Sequence, residues 1–217
     1  MRATVTIGLI LLVILPREGT CDMLNLTDEV RKYILGYIST ELEDFSLTKK
    51  LLDKYTPSIT PSTGKVTYGP ACKNPEYSNS DCREFYTWII HNSTVTPFTL
   101  PISLTALYKG KKNETHNVNI NNATWVMWNP DNLTEYPKSF SEEKCNFSIE
   151  VSFKGTFVYK VRKDVKGDKP LQGNEEIGRV ALNNPTRLAQ YGDDTLKYNI
   201  SGEFKHAVTC PSHSKTR

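Results

Sequence analysis

The stretch "CNFSIEVSFKGTFVYKV", residues 145–161, alternates with period two. Phe147, Ile149, Val151, Phe153, Phe157, Tyr159 and Val161 fall on odd positions, and Asn146, Ser148, Glu150, Ser152, Lys154 and Lys160 on even ones. Successive side chains of a strand point to opposite sides, so this pattern predicts strand with one buried and one wetted face. Gly155 interrupts the run and marks a bulge, a sharp bend or a hairpin turn. "LKYNISGEFKHAVTC", residues 196–210, repeats the alternation, with Leu196, Tyr198, Ile200, Phe204, His206, Val208 and Cys210 on the inner side. "EFYTWII", "FTLPISLTALY", "HNVNI" and "ATWVMW" are further candidate strands, and Pro101 makes the second an edge or bulged strand.

Nearer the N-terminus the period changes. In "LTDEVRKYILGYISTELEDF", residues 26–45, Val30, Tyr33, Ile34, Tyr37, Ile38, Leu42 and Phe45 follow the three-and-four spacing of a helical face. Thr27 is a suitable N-cap, with Asp28 and Glu29 in the first turn. "SLTKKLLDKY" predicts a second short helix capped by Ser46, and the prolines of "TPSITPSTG" (56–64) end the helical part as a connector. The expected fold is therefore α+β. A helical segment over 27–55 packs on a β-rich 64–210 arranged as an antiparallel sandwich or barrel stapled by disulfides.

The first residues, "MRATVTIGLILLVILPREGTCD", place Arg2 before an apolar run from Ile7 to Leu15, with Gly19 and Cys21 as small residues for cleavage before Asp22. The run is shorter than the roughly 20 residues that span a bilayer. The reading is a signal peptide over 1–21 and a single secreted domain over 22–217, with no membrane anchor, since the polar end "PSHSKTR" lacks the hydrophobic tail of a lipid-anchor signal. The net charge of +3, from 27 Lys+Arg against 24 Asp+Glu, gives no reason to expect a nucleic-acid partner.

Removal of Cys21 with the leader leaves Cys72, Cys82, Cys145 and Cys210, an even set suited to two disulfides in an oxidising compartment. Strand parity favours Cys145 with Cys210, leaving Cys72 and Cys82 to close the loop "KNPEYSNSD". No Cys-x-x-Cys occurs and the four histidines lack ligand spacing, so no metal is expected. Asn25, Asn92, Asn113, Asn122, Asn132, Asn146 and Asn199 each begin an N-x-S/T triplet. With 16 Asn and 38 Ser+Thr in 217 residues, chance gives 16 × 38/217, roughly three such triplets, so the set marks a heavily N-glycosylated chain. Two of these sites flank "TWVMW", whose apolar residues alternate onto both faces, so that strand is either central or partner-facing.

Signatures of catalysis are missing: the chain has no G-x-S-x-G, H-E-x-x-H, phosphate-binding glycine loop or G-x-G-x-x-G. The adjacent Asp193 and Asp194 read as solvated turn acids. The reading is no enzyme and no cofactor. In "KVRKDVKGDK", residues 160–169, Arg162, Lys163 and Lys166 are the candidate residues for steering an acidic protein partner.

The leader, the helical start, the β-rich remainder, the four cysteines and the many sequons together resemble the immunosuppressant salivary glycoproteins of hard ticks, which inhibit host T-cell proliferation. "EKCNFSIEVSF" and the sequon-rich centre are the stretches to align first. The resemblance implies release in saliva and suppression of host responses through binding of a host immune protein or lymphocyte surface receptor. It carries over no site residue and leaves the oligomeric state open. The alternative is a lipocalin-like scavenger of a biogenic amine or lipid, with Trp88, Trp125 and Tyr159 in a cavity, and a secreted hydrolase stands third. Bulky inward residues (Phe147, Phe153, Phe157, Tyr198, Phe204) favour a filled interior.

Enzymatic removal of N-glycans from insect-cell protein is expected to shift its gel mobility substantially. An unchanged band ends the glycoprotein reading.

Overall fold

The computed structural model describes residues 22–51, 54–70, 72, 82–108, 112–129, 141–162 and 165–210. In chain order the first elements are β1 (Asp22–Asn25), α1 (Leu26–Tyr33) with a π-helical turn at Ile34–Ile38, β2 (Leu42–Ser46), β3 (Thr60–Thr63) and β4 (Thr67–Tyr68). Then come β5 (Arg83–Val95), β6 (Pro101–Tyr108), β7 (Lys112–Asn119), β8 (Trp125–Trp128) and β9 (Ser141–Lys154). The last are β10 (Thr156–Val161), β11 (Gln172–Glu176), a 3-10 turn at Ile177–Asn183, β12 (Leu188–Gln190) and β13 (Thr195–Thr209).

Among the described residues the large sheet runs β1-β5-β13-β9-β3, with β12 beside β13, β4 beside β9 and β8 beside β5. A second sheet has the order β11-β10-β2, and β6 with β7 forms a separate hairpin. β1 lies parallel to β5, with Asp22 opposite Asn92, so the large sheet is mixed. These findings overturn the α+β expectation: the described residues are mostly β, with one short α-helix and no closed barrel among them.

The predicted strands explain the core. Phe147, Ile149, Val151 and Phe153 of β9 and Leu196, Tyr198, Ile200 and Phe204 of β13 are buried, joined by Tyr86, Trp88 and Ile90 of β5. The run 145–161 is divided between two sheets at Gly155, whose φ of 127° is open to glycine and whose added Cβ would run into the Ser58 carbonyl. Gly155 is thus the sharp bend. Pro101 opens the hairpin strand β6, where Ile102, Leu104 and Ala106 turn inward and Ser103 and Thr105 outward.

The helical expectation fails after one short helix. Asn25, not Thr27, is the N-cap: its Oδ1 accepts from the Thr27 and Asp28 amides at 3.0 and 3.3 Å. Leu26, Val30, Tyr33, Ile34 and Ile38 bury the apolar face. Ser39 is already extended, at φ −158° and ψ 155°. The spacing that placed Leu42 and Phe45 on a helical face is realised differently. β2 pairs with β10 through Val161↔Leu42, Lys160↔Asp44 and Tyr159↔Phe45, so a bulge at Glu43 puts residues three apart on one side of a strand. Ser46 Oγ accepts from the Thr48 and Lys49 amides, as an N-cap would, but the described residues after it form a bend.

The disulfides join Cys72 to Cys145 and Cys82 to Cys210, correcting the pairing expected from parity. Cys145 lies opposite Phe204 in the β9–β13 ladder, six residues short of Cys210, about 20 Å away at the strand rise. A disulfide needs Cα atoms within about 7 Å. Thr209 faces Arg83, which brings Cys82 beside Cys210, and Tyr68 faces Phe147, which brings Cys72 to Cys145. The bonds close separations of 73 and 128 residues, worth about 4–5 kcal/mol each on the chain-entropy estimate.

Non-reducing peptide mapping is expected to recover linked peptides Cys72–Cys145 and Cys82–Cys210. A Cys145–Cys210 peptide would contradict the β9–β13 register.

Candidate functional site

The outward face of the large sheet gathers three of the seven sequons. Ser201 of β13 faces Asn92 of β5 on one side and Ser148 of β9 on the other, Asn199 faces Glu150, and Glu203 faces Asn146. Asn92, Asn146 and Asn199 therefore stand exposed on adjacent strands, within about 15 Å of one another. Asn92 Nδ2 donates to Ser201 Oγ at 2.9 Å. A cleft of about 440 Å³ opens beside Asn92 and Asn199, and its charges are already paired: Arg187 with Asp22 at 3.2 Å and Lys197 with Glu150 at 3.0 Å. Asn122 is exposed in a turn with φ 59°, and Asn25 is half-buried at its cap. The side chains of Asn113 and Asn132 lie outside the described residues.

At one edge of this face lies β8. Its inward residues Val126 and Trp128 face Trp88 and Tyr86, and the Trp128 ring stacks between Tyr86 at 5.2 Å and His116 at 5.8 Å. Its outward residues, Trp125 and Met127, are 60% and 47% exposed beside Ile89 and Thr87. Hence "TWVMW" is an edge strand among the described residues, core-facing on one side and solvent-facing on the other. Beneath it, Glu84, Tyr86 and His206 are fully buried: His206 Nε2 lies 2.9 Å from Glu84 Oε2, and the Tyr86 hydroxyl donates to the same oxygen. A buried carboxylate requires such partners. The sequence pattern put His206 inside but gave no signal for Glu84.

Arg162 is exposed and its amide donates to the Glu41 carbonyl at 3.0 Å, while Lys163 lies outside the described residues. Lys166 Nζ donates to the carbonyls of Leu35 and Gly36 at 3.3 and 2.6 Å, and its amide donates to Ile38 O at 2.7 Å. Its charge closes the end of the helical segment, where carbonyls lack helical partners. Asp193 pairs with Arg179 at 3.4 Å, and Asp194 accepts from the Thr195 hydroxyl at 2.8 Å, consistent with turn acids.

A second polar cluster joins β10, β11 and the 3-10 turn. The 6%-exposed Glu175 carboxylate binds Lys169 and lies 3.4 Å from Arg179. Tyr159 lines the adjoining cleft, with its hydroxyl buried and lacking a hydrogen-bond partner among the described residues. Burial first, then the Glu175 charge, pushes the Tyr33 and Tyr159 hydroxyls up to about 12. No group of three His, Cys, Asp or Glu is placed to hold a metal among the described residues, and none of their helices is long and apolar enough to cross a membrane.

No protein-family model and no curated protein matches the chain. Among solved structures it is similar to the Cry23Aa1 and Cry37Aa1 binary protein complex, at 11% identity over 86% of this chain and 85% of that one, TM-score 0.49. It is also similar to a non-toxic crystal protein from Bacillus thuringiensis (9% identity, 86% and 93% covered, TM-score 0.39). The Mpp75Aa1.1 beta-pore-forming protein from Brevibacillus laterosporus matches at 14% identity over 81% and 69%, TM-score 0.30. Identities of this size carry no activity across to this chain.

The two tyrosines set an alkaline limit. Their raised pKa values mean that the folded chain holds protons the unfolded chain releases near 10, so their stabilising contribution is complete below pH 10 and lost between pH 10 and about 12. Denaturation midpoints are expected to fall more steeply over that window in the parent than in a Tyr33→Phe/Tyr159→Phe variant. Equal slopes would refute the assignment.

Proposed function

We propose that this chain is a secreted, N-glycosylated protein that acts by binding a protein of the host immune system or a lymphocyte surface receptor, as the resemblance to salivary immunosuppressants implies. The two disulfides agree with an oxidising, extracellular setting. The observation that carries the binding role is the edge strand β8, where Trp125 and Met127 are exposed beside a face bearing Asn92, Asn146 and Asn199. Large aromatic side chains anchor protein interfaces, and Met adapts to irregular partners. Sugars on the neighbouring strands would exclude partners from the middle of the sheet, and a sugar on the exposed Asn122, three residues before Trp125, would rim the end of β8. The ligand-sequestering alternative is less well supported: the sheets close no barrel among the described residues, and the clefts beside Asn199 and Glu175 are open and more polar than apolar.

Inhibition of stimulated T cells by the glycosylated protein is the test. Trp125→Ser/Met127→Ser is expected to weaken inhibition at least tenfold while leaving secretion and both disulfides intact. Arg162→Ser/Lys163→Ser, which spares the helix-closing Lys166, is expected to slow association at low salt and change little at high salt. Full inhibition by the Trp125/Met127 variant would remove β8 from the interface, and a parent protein inert toward T cells would end the proposal.

A further inference from the structure

The connector "TPSITPST", residues 56–63, has no part in the binding reading, yet its geometry is unusual for a linker. Its last four residues form β3 at the edge of the large sheet, with Ser62 and Thr60 facing Ser152 and Lys154 of β9, and before them the Ser58 amide donates to Thr156 O of β10 at 2.9 Å. Exposure alternates: Thr56, Ser58, Thr60 and Ser62 face solvent, and Pro57, Ile59 and Pro61 are half-buried. The prolines hold the backbone extended and withhold amide donors.

The hydroxyls divide into two sets. Ser58 Oγ lies 3.0 Å from Thr156 Oγ1 and accepts from the Thr156 amide, Ser62 Oγ lies 2.7 Å from Ser152 Oγ, and Thr63 Oγ1 donates to Pro101 O. Thr56 and Thr60 are exposed and their hydroxyls have no hydrogen-bond partner among the described residues. An open cleft of about 500 Å³, lined by Ser58, Thr60, Ser62, Ser152 and Lys154, gives room for a sugar ring beside Thr60.

We infer that Thr56 and Thr60 are acceptors for O-linked N-acetylhexosamine. Ser/Thr-rich, proline-spaced segments are the composition that secretory O-glycosylation modifies, and here the fold leaves two hydroxyls unengaged, Thr60 on the edge strand β3 and Thr56 in the exposed approach to it. The donor is a nucleotide-activated N-acetylhexosamine. Threonine Oγ1 forms a bond to its anomeric carbon, the bond from that carbon to the phosphate breaks, the nucleoside diphosphate departs with the electron pair, and the hydroxyl proton passes to the transferase's base. The inference rests on the secretory reading proposed above.

The test is intact mass of the full chain secreted from insect cells, before and after enzymatic removal of N-glycans, with sugar-retaining fragmentation to locate any residue left. The expected result is one or two N-acetylhexosamines, with or without further sugars, remaining on Thr56 and Thr60. They should be lost in Thr56→Ala/Thr60→Ala and kept in Ser58→Ala/Ser62→Ala. N-glycans present with bare polypeptide mass after their removal, or O-linked sugar located only elsewhere, overturns this inference and leaves the secretory reading standing. Absence of both kinds of sugar overturns both. Localisation on the parent decides the matter even if a variant fails to fold.

Discussion

The antiparallel ladder between β9 and β13, from Thr195 opposite Lys154 to Val208 opposite Ser141, is the constraint on which the remaining structure depends. It aligns Phe147, Ile149, Val151 and Phe153 with Gly202, Ile200, Tyr198 and Leu196, so the inner face of one strand fills against that of the other. Gly202 is where this alignment is tightest: β5 shifts register between Asn92 and Ile90, and a side chain at 202 would meet the Ile89 carbonyl. The same register decides which cysteines can meet.

Much of this was legible in the sequence, because period two is a local property. Most buried residues of 147–161 and 196–208 follow the alternation, with Val158 and Ala207 buried off it, and the exposed positions of Asn146 and Asn199 follow from it too. What was not legible depends on sheet order. Parity shows that Cys145 points inward but not where along the neighbouring strand its partner lies, and Cys210 falls just past the end of β13, exposed. The helical reading of Leu42 and Phe45 failed for a related reason, since a bulged strand and a helix both place residues three apart on one side. Only pairing with β10 distinguishes them. Glu84 was invisible because a carboxylate inside the sheet is a tertiary fact, made tolerable by His206 of the neighbouring strand β13 together with Tyr86 two residues on.

The large sheet is asymmetric from edge to edge. On one side β8 presents an indole and a thioether, on the other β3 presents small hydroxyls, and between them lie the sequon asparagines. Lys166, exposed in the basic segment, also donates to the Leu35 and Gly36 carbonyls at the end of the helical segment, a contact that a charge count does not reveal.

The pairing of β1 with β5 sets a timetable. Thr94 belongs to the triplet that begins at Asn92, and in the folded chain it is fully buried, its hydroxyl donating to the Leu24 carbonyl at 3.1 Å. An enzyme that reads this threonine to modify Asn92 can reach it only while β1 is undocked. Leu24 is synthesised long before Thr94, so docking can begin as soon as β5 is free to pair. In a secreted chain, the fraction of molecules carrying sugar at Asn92 would then record a race between modification and strand docking, and substitutions that slow folding would raise that fraction without touching the triplet itself.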